Sequence, residues 1–282
     1  SARQLFCLSD GCYRPIASCA SLVPPHLSRC APMAGRTFAV GDLHGGLDQL
    51  FRLLSCFPEL DAEDTLVFIG DYVDRGPKSA QVVDYIRNLP SMTRANVVAL
   101  RGNHEDAWLR VVDHGWDEFV MPPLNGCLAA FRSFVDGPVP SENELPRADE
   151  RMMIQTGAFF PDDVVQWFRQ LPLWYEDEHA IYVHAGLPQH PDGGFYHPRQ
   201  VTDSMSLLWG RDEEFFSNYT GKLVVFGHTG TEYLAQEIPK GVMNDQIGIW
   251  RCGDAIGIDT GCGHGGYLSA LELPAMNIYD SR

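Results

Sequence analysis

Thr37-Phe38-Ala39-Val40 runs straight into Gly41-Asp42-Leu43-His44-Gly45, an apolar run ending in a glycine turn that carries an aspartate and a histidine. The construction recurs down the chain. Leu66 to Ile69 leads into Gly70-Asp71-Tyr72-Val73-Asp74-Arg75-Gly76, and Asn96 to Leu100 into Gly102-Asn103-His104-Glu105. Ala180 to Val183 leads into His184-Ala185-Gly186, and Leu223 to Phe226 into Gly227-His228-Thr229. Short β-rich runs bounded by turn residues read as buried strands. In open α/β sheets, ligands bind beyond the carboxyl ends of the strands. Metal-type side chains at each of these strand ends therefore gather on one rim, the layout of a metal site.

The residue types narrow the chemistry. Asp42, His44 and Asp71 can hold one ion, and Asn103, His184 and His228 a second, with Asp71 shared. Imidazole, carboxylate and amide donors without a thiolate suit divalent Mn, Fe, Zn or Co. A shared carboxylate sets two ions on the order of 4 Å apart, the spacing of two-metal phosphoryl-transfer sites. Each motif alone has a plainer reading. Asp-x-His after a strand is an ordinary turn, Asp-Arg-Gly a capped turn, Gly-Asn-His-Glu a helix start, and a lone histidine a satisfied core residue. Arg211 alone reads as a surface salt-bridge residue. Their succession in this order, each after a strand, argues against coincidence.

Together the blocks resemble the phosphoprotein phosphatase branch of the metallophosphoesterases, which includes phage-type protein phosphatases and symmetrical diadenosine tetraphosphatases. The likeness runs from about Thr37 to Leu273. It implies a four-layer α-β-β-α sandwich and two divalent ions, manganese first, with iron, zinc or cobalt as alternatives. It makes Asp42, His44, Asp71, Asn103, His184 and His228 the metal ligands, and Asn103 also a substrate contact. It makes His104 the general acid, oriented by Asp74, and Arg75 a phosphate clamp. Arg211, in Leu207-Leu208-Trp209-Gly210-Arg211-Asp212, matches the second phosphate-gripping arginine of bacterial and phage forms. His264 and Tyr267 are placed at the edge of the substrate cleft, with a buried hydrogen-bonding role equally open. Asn125-Gly126 sits where bacterial relatives often carry an Asn-Gly-Gly turn, and Cys127 departs from that pattern.

The chemistry asks for these residue types independently. In-line attack on phosphorus by a hydroxide held between two metals builds charge on the non-bridging oxygens, and arginine forks meet that charge. The leaving alkoxide needs a proton, which a carboxylate-held histidine supplies near neutral pH. The expected activity is hydrolysis of phosphoserine and phosphothreonine monoesters, because GDYVDRG and GNHE read as in the protein phosphatases. Tetraphosphatases more often lack the Asp74 equivalent and carry Asp in place of Glu105. Symmetrical cleavage of diadenosine tetraphosphate is the alternative. A silent phosphoprotein-binding scaffold is disfavoured, since every ligand and acid position is filled.

Composition bounds the rest. The chain has 282 residues, 45% hydrophobic and 21% charged, as an ordinary globular protein does. A net charge of −16 argues against a nucleic-acid-binding face. No apolar run is long enough to span a membrane, and a cytoplasmic enzyme acting on phosphoprotein, phosphopeptide or dinucleoside polyphosphate is expected. Oligomeric state leaves no signal. Strands alternating with helical patterns suit two packed sheets flanked by helices, an α/β fold. Leu47, Leu50, Phe51 and Leu54 form one expected inward face, Val82, Val83 and Ile86 another, and Val164, Val165, Phe168 and Leu171 a third. Residues 36–282 form the catalytic domain, with 113–160, rich in proline and acidic between Ser141 and Glu150, as an inserted wall over the cleft.

Residues 1–35 read as a nonessential extension. They hold Cys7, Cys12, Cys19 and Cys30, a poor match to a signal peptide and, with His26, a weak zinc-knuckle pattern. Cys30 to Arg36 fits a Cys-x5-Arg phosphate loop, but Pro32 interrupts it and no strand feeds Cys30. A chain starting at Met33 is expected to fold and turn over substrate like the full chain; an insoluble truncate, in an expression and assay comparison, counts against it.

Overall fold

The computed structural model describes residues 35–244 and 248–282. The cysteine-rich segment, its metal and phosphate-loop patterns and Met33 lie outside the described residues. The strands are β1 (Thr37–Val40), β2 (Thr65–Phe68), β3 (Asn96–Ala99), β4 (Trp174–Glu176), β5 (Ile181–Val183), β6 (Val224–Phe226), β7 (Val242–Met243), β8 (Trp250–Cys252), β9 (Ala255–Gly257), β10 (Ser269–Leu273) and β11 (Asn277–Asp280). The helices are α1 (Leu47–Ser55), α2 (Ser79–Met92), α3 (Asn103–His114), α4 (Asp117–Val120), α5 (Cys127–Phe134), α6 (Ala148–Thr156), α7 (Asp162–Gln170), α8 (Met205–Trp209), α9 (Glu213–Asn218) and α10 (Thr231–Glu237).

The strands form two sheets, in the orders β11-β10-β1-β2-β3 and β4-β5-β6-β9-β8-β7. Side chains alternate across each strand, and the alternation sorts them into three apolar layers. Ala39, Val67, Tyr182, Val225 and Ile256 fill the space between the sheets. Phe38, Val40, Leu66 and Phe68 face outward onto Leu50, Val82, Ile86 and Trp108 of the first helical layer. Ile181, Val183, Val224 and Phe226 meet Leu207, Phe215, Phe216 and Leu234 of the second. Helices thus cover both outer faces of a sheet pair. Because both faces are buried, the strands are continuous apolar runs.

The central strands pair in parallel, β1 with β2, β2 with β3, β5 with β6 and β6 with β9. Parallel pairing places all their carboxyl ends at one rim, where the five motifs emerge. One expectation is corrected. Phe51 is 38% exposed, and Leu53 takes its inward place on α1, because a nine-residue helix offers only a narrow buried stripe. The Gly-Asn-His-Glu block does start a helix, α3, which runs from Asn103 with Gly102 at its N-cap to His114.

The region 113–160 is mostly helical, and its acidic run is not simply a solvated face. The Arg132 guanidinium is buried, donating to Glu150 Oε1 at 2.9 Å and to Glu144 Oε1 at 2.5 Å. Arg132 holds the Glu144 carboxyl at about 2 and the Glu150 carboxyl below its ordinary value. Both folded values lie below the unfolded ones, so this contribution is complete above the unfolded carboxyl range and is lost as pH falls towards 2. Arg132→Ala strands a buried carboxylate and is expected to cost about 3–5 kcal/mol. It should also flatten the acid limb of stability, as urea unfolding at several pH values would record; a neutral substitution contradicts the pairing.

Candidate metal centre

Short loops at the strand ends force the chain into sharp reversals. Among the described residues eight non-glycine positions have left-handed backbone, and five of them are His44, Asp71, Asp74, Arg75 and His228. L-residues hold that conformation only where surroundings over-determine it. Here the loops lock one another. The N–H groups of Leu43 and His44 both donate to the Asp71 carbonyl, at 3.0 and 2.7 Å, and Gly45 N–H donates to the Tyr72 carbonyl at 3.0 Å. Gly102 must lack a side chain, since a Cβ there would lie 2.1 Å from Asp71 Oδ1.

These reversals bring the expected ligands together. Asp71 lies at the centre, with Oδ2 3.3 Å from His44 Nε2 and Oδ1 3.5 Å from His184 Nε2. It belongs to both candidate ligand groups, one with His44 and His104 and one with Asp42 and His184. Asn103 Oδ1 is 2.9 Å from His184 Nε2 and 2.9 Å from His228 Nδ1. Asp42 receives the His228 backbone N–H at 3.0 Å.

Tautomers follow from the outer hydrogen bonds. His44 Nδ1 faces the Val73 carbonyl at 2.9 Å and His184 Nδ1 the Ile69 carbonyl at 2.8 Å. A carbonyl only accepts, so both Nδ1 atoms carry hydrogen, and in a ring that binds metal each Nε2 lone pair then points into the site. The His184 Nε2 lone pair then meets the Asn103 carbonyl oxygen, two acceptors converging on one place. Donors sharing a small cation at about 2.1 Å sit this far apart. The donor set therefore fits divalent metal.

The electrostatics agree. Burial and Arg75 lower His44 to about 3, and burial with His184 lowers His228 further below its ordinary value, so these imidazoles are neutral. Burial opposes the charge on Asp71, but His184, His104 and His44 outweigh it and hold its carboxyl well below the usual range. Burial, Asp259 and Asp71 push Asp42 well up. Neutral imidazoles among crowded carboxylates are what a dication relieves, since ligands bind deprotonated. Arg75 already turns a cation towards them, Nη1 donating to His44 Nε2, while its buried Nε has no hydrogen-bond partner among the described residues.

Beside the expected ligands stands a buried histidine–carboxylate pair. His104 Nδ1 is 2.6 Å from Asp74 Oδ2, so the carboxylate holds the ring through that nitrogen. Trp108, one turn further along α3, donates its indole N–H to both Asp74 oxygens at 3.0 Å. That third partner was missed in the sequence, where Trp108 reads only as core. Glu105 was missed as well. Its carboxylate accepts the N–H groups of Asp71, Tyr72 and Gly102 at 3.0, 2.8 and 3.0 Å, tying the second loop to the start of α3. Burial and Asp71 push it up, against the backbone N–H groups, which favour the charged form. Asp259, just beyond β9, is a further buried carboxylate at the rim and acts on Asp42 through charge. Its Asp-Thr-Gly setting after a strand was the available signal.

The remaining expected residues lie further out. Arg211 is exposed, makes no side-chain hydrogen bond or ion pair among the described residues, and is close enough to His228 to depress its protonation. His264 stands at the rim with its ring 6.3 Å from that of His44, and partial burial beside Arg75 lowers it to about 4. Tyr267 carries the Arg282 guanidinium 4.1 Å over its ring and joins the end of the chain rather than the ligand set.

Fold and site together define a metal-dependent phosphoesterase. Residues 35–232 match the calcineurin-like phosphoesterase family, and the chain belongs to it. It is 30% identical over 154 residues to the symmetrical bis(5'-nucleosyl)-tetraphosphatase of Marinomonas sp. (strain MWYL1), a match taking in 54% of this chain and 44% of that relative. The match thus spans less than half the length of that relative. It is 24% identical over 267 residues to the asymmetrical bis(5'-nucleosyl)-tetraphosphatase PrpE of Anoxybacillus flavithermus, covering 84% of this chain and 90% of that one. A solved structure whose assignment as a diadenosine tetraphosphatase is provisional shares the fold with a TM-score of 0.52 and 24% identity, over 89% of this chain and 95% of that one. A serine/threonine phosphatase from Saccharomyces cerevisiae shares it with a TM-score of 0.50 and 18% identity, over 85% and 73% of the two chains. Among the described residues no helix is long and apolar enough to cross a membrane.

Glu105→Gln replaces one accepting oxygen by an amide that opposes a backbone N–H. Outer partners of ligands typically contribute 10–100-fold to metal affinity, and about that loss is expected, read as Mn or Zn binding by calorimetry on the stripped protein. Unchanged affinity would remove Glu105 from the support of Asp71.

Proposed function

We propose that this phosphoesterase hydrolyses alkyl phosphomonoesters, phosphoserine and phosphothreonine side chains among them. The observation that carries the reading is the buried His104–Asp74 pair, held at 2.6 Å and pinned again by Trp108. An alkoxide is a poor leaving group and needs a proton as its P–O bond breaks. A nucleoside diphosphate leaves as a stabilised anion and needs one far less. A carboxylate-held imidazole answers the first demand.

In this reading Asp42, His44, Asp71, Asn103, His184 and His228 hold two divalent ions. When bound, such a pair supplies charge to phosphoryl oxygens and acidifies water. Arg75 places its fork on the non-bridging oxygens and Arg211 reaches in from the rim, both complementing the charge that grows in the transition state. His104 Nε2 gives its proton to the leaving oxygen while Asp74 stabilises the charged ring through Nδ1. Burial fixes both groups before substrate arrives.

A second reading, cleavage of dinucleoside tetraphosphates, is favoured by the likeness to the two tetraphosphatases. The same ligands and arginines serve either substrate, because both present phosphoryl oxygens. Kinetics of the metal-loaded enzyme on a phosphoserine peptide and on diadenosine tetraphosphate separate them; efficient cleavage of the dinucleotide alone ends the monoester reading. His104→Asn is expected to lower kcat on the phosphopeptide on the order of 10²-fold or more, with metal content unchanged. An aryl phosphate, whose leaving group needs little proton help, should lose much less. Equal losses on both substrates would deny His104 the role of acid.

A further inference from the structure

The region 113–160 meets the Arg75 corner at a short turn, Pro122-Pro123-Leu124-Asn125-Gly126. Gly126 is left-handed, with φ 77° and ψ 17°, and its carbonyl accepts the Arg75 backbone N–H at 3.3 Å. A Cβ at position 126 would lie 2.1 Å from Arg75 N, 2.4 Å from its Cα and 3.0 Å from its Cγ. The first two are backbone atoms, so nothing flexible is available to yield.

What the turn presses on is itself strained. Asp74 and Arg75 are consecutive left-handed residues, with φ 70° and 65°, a conformation L-side chains resist. Three successive backbone N–H groups, those of Asp74, Arg75 and Gly76, tie this corner to other parts of the chain. Asp74 N–H donates to Ser79 Oγ at 3.1 Å, Gly76 N–H to the His44 carbonyl at 3.0 Å, and Arg75 N–H to Gly126. The first two come from the loops of the centre and the start of α2; the third comes from the inserted region. Asn125 ties the turn down, its Nδ2 donating to the Phe119 carbonyl at 2.7 Å, and the Phe119 ring meets the edge of the His104 ring at 5.4 Å. One segment thus reaches both the acid and the arginine.

We propose that the Asn125–Gly126 turn is the positioning element for Arg75, setting the guanidinium fork where the phosphoryl group is received. The inference rests on the proposed contact between Arg75 and substrate. A turn serving only to start α5 would occupy the same place in the chain, and a double-mutant cycle tells the two apart. Binding of inorganic phosphate to the metal-loaded enzyme is measured by calorimetry for Gly126→Ala, Asn125→Ala, Arg75→Ala and the paired variants, with thermal unfolding alongside. Small misplacements at a reacting centre are costly, so Gly126→Ala should weaken phosphate binding on the order of tenfold or more, and Asn125→Ala by several-fold.

In the Arg75→Ala background Asn125→Ala should no longer matter, because the fork it sets is gone, and Gly126→Ala, which keeps its clash with the residue-75 backbone, should cost less than it does in the parent. Asn125→Ala keeps the backbone free of added bulk, so the test survives if Gly126→Ala fails to fold. Equal losses with and without Arg75, or no loss from either turn variant, overturn the positioning role. Arg75→Ala binding phosphate as well as the parent enzyme removes the arginine reading itself, and the inference with it.

Discussion

Everything at this centre turns on the Asp71 carboxylate. It faces His44 with one oxygen and His184 with the other, and its Oδ1 also takes the backbone N–H of His104 at 3.0 Å. A buried carboxylate flanked by imidazoles on two sides is an expensive arrangement away from solvent. It persists because both sheets deliver parts of it. Asp71 comes from the first sheet, His184 and His228 from the second, and Asn103 from the helix that follows β3. The packed apolar layer between the sheets is therefore also what sets the distances between ligands.

The cost is carried in the backbone. Left-handed residues gather in the loops that aim the ligands, and each is held by hydrogen bonds from a different loop. Glu105 plays the largest part in this, since one carboxylate gathers N–H groups from Gly102, Asp71 and Tyr72. The region between α3 and α7 adds a second set of constraints from the other side. Trp108 packs edge-on against Phe159 and Phe160 at 5.2 and 5.0 Å while holding Asp74. The Asp74 carboxylate is thus braced by a part of the chain that supplies none of the expected ligands.

How much of this was legible depended on the kind of signal. The strand-to-turn motifs were legible because a parallel strand buried on both faces is an apolar run, and a ligand must follow it within a few residues. Trp108 and Glu105 were not, because a buried tryptophan and a helix-start glutamate have the same local pattern whether or not a catalytic loop lies opposite. Phe51 misled for a related reason. Periodicity gives the face of a helix but not the width of the surface that covers it, and α1 is covered over Leu50 and Leu53 instead. Asp259 follows the same strand-end rule as the expected ligands, yet it had no histidine beside it to raise it above a turn residue.

By itself the sequence determined the class of fold, the rim at which the chemistry gathers and the identity of the residues gathered there. Those properties follow from local composition: apolar runs make buried strands, and glycine-flanked polar residues end them. Only the tertiary structure decided which donors face each other, which ring nitrogens point inward, and that the acidic run near Glu144 neutralises a buried arginine. Such choices depend on groups far apart in the chain, as Asn103 and His228 are at 125 positions and Asp42 and His228 at 186. No local pattern encodes a contact of that range; the packing of two sheets and their helices brings it about.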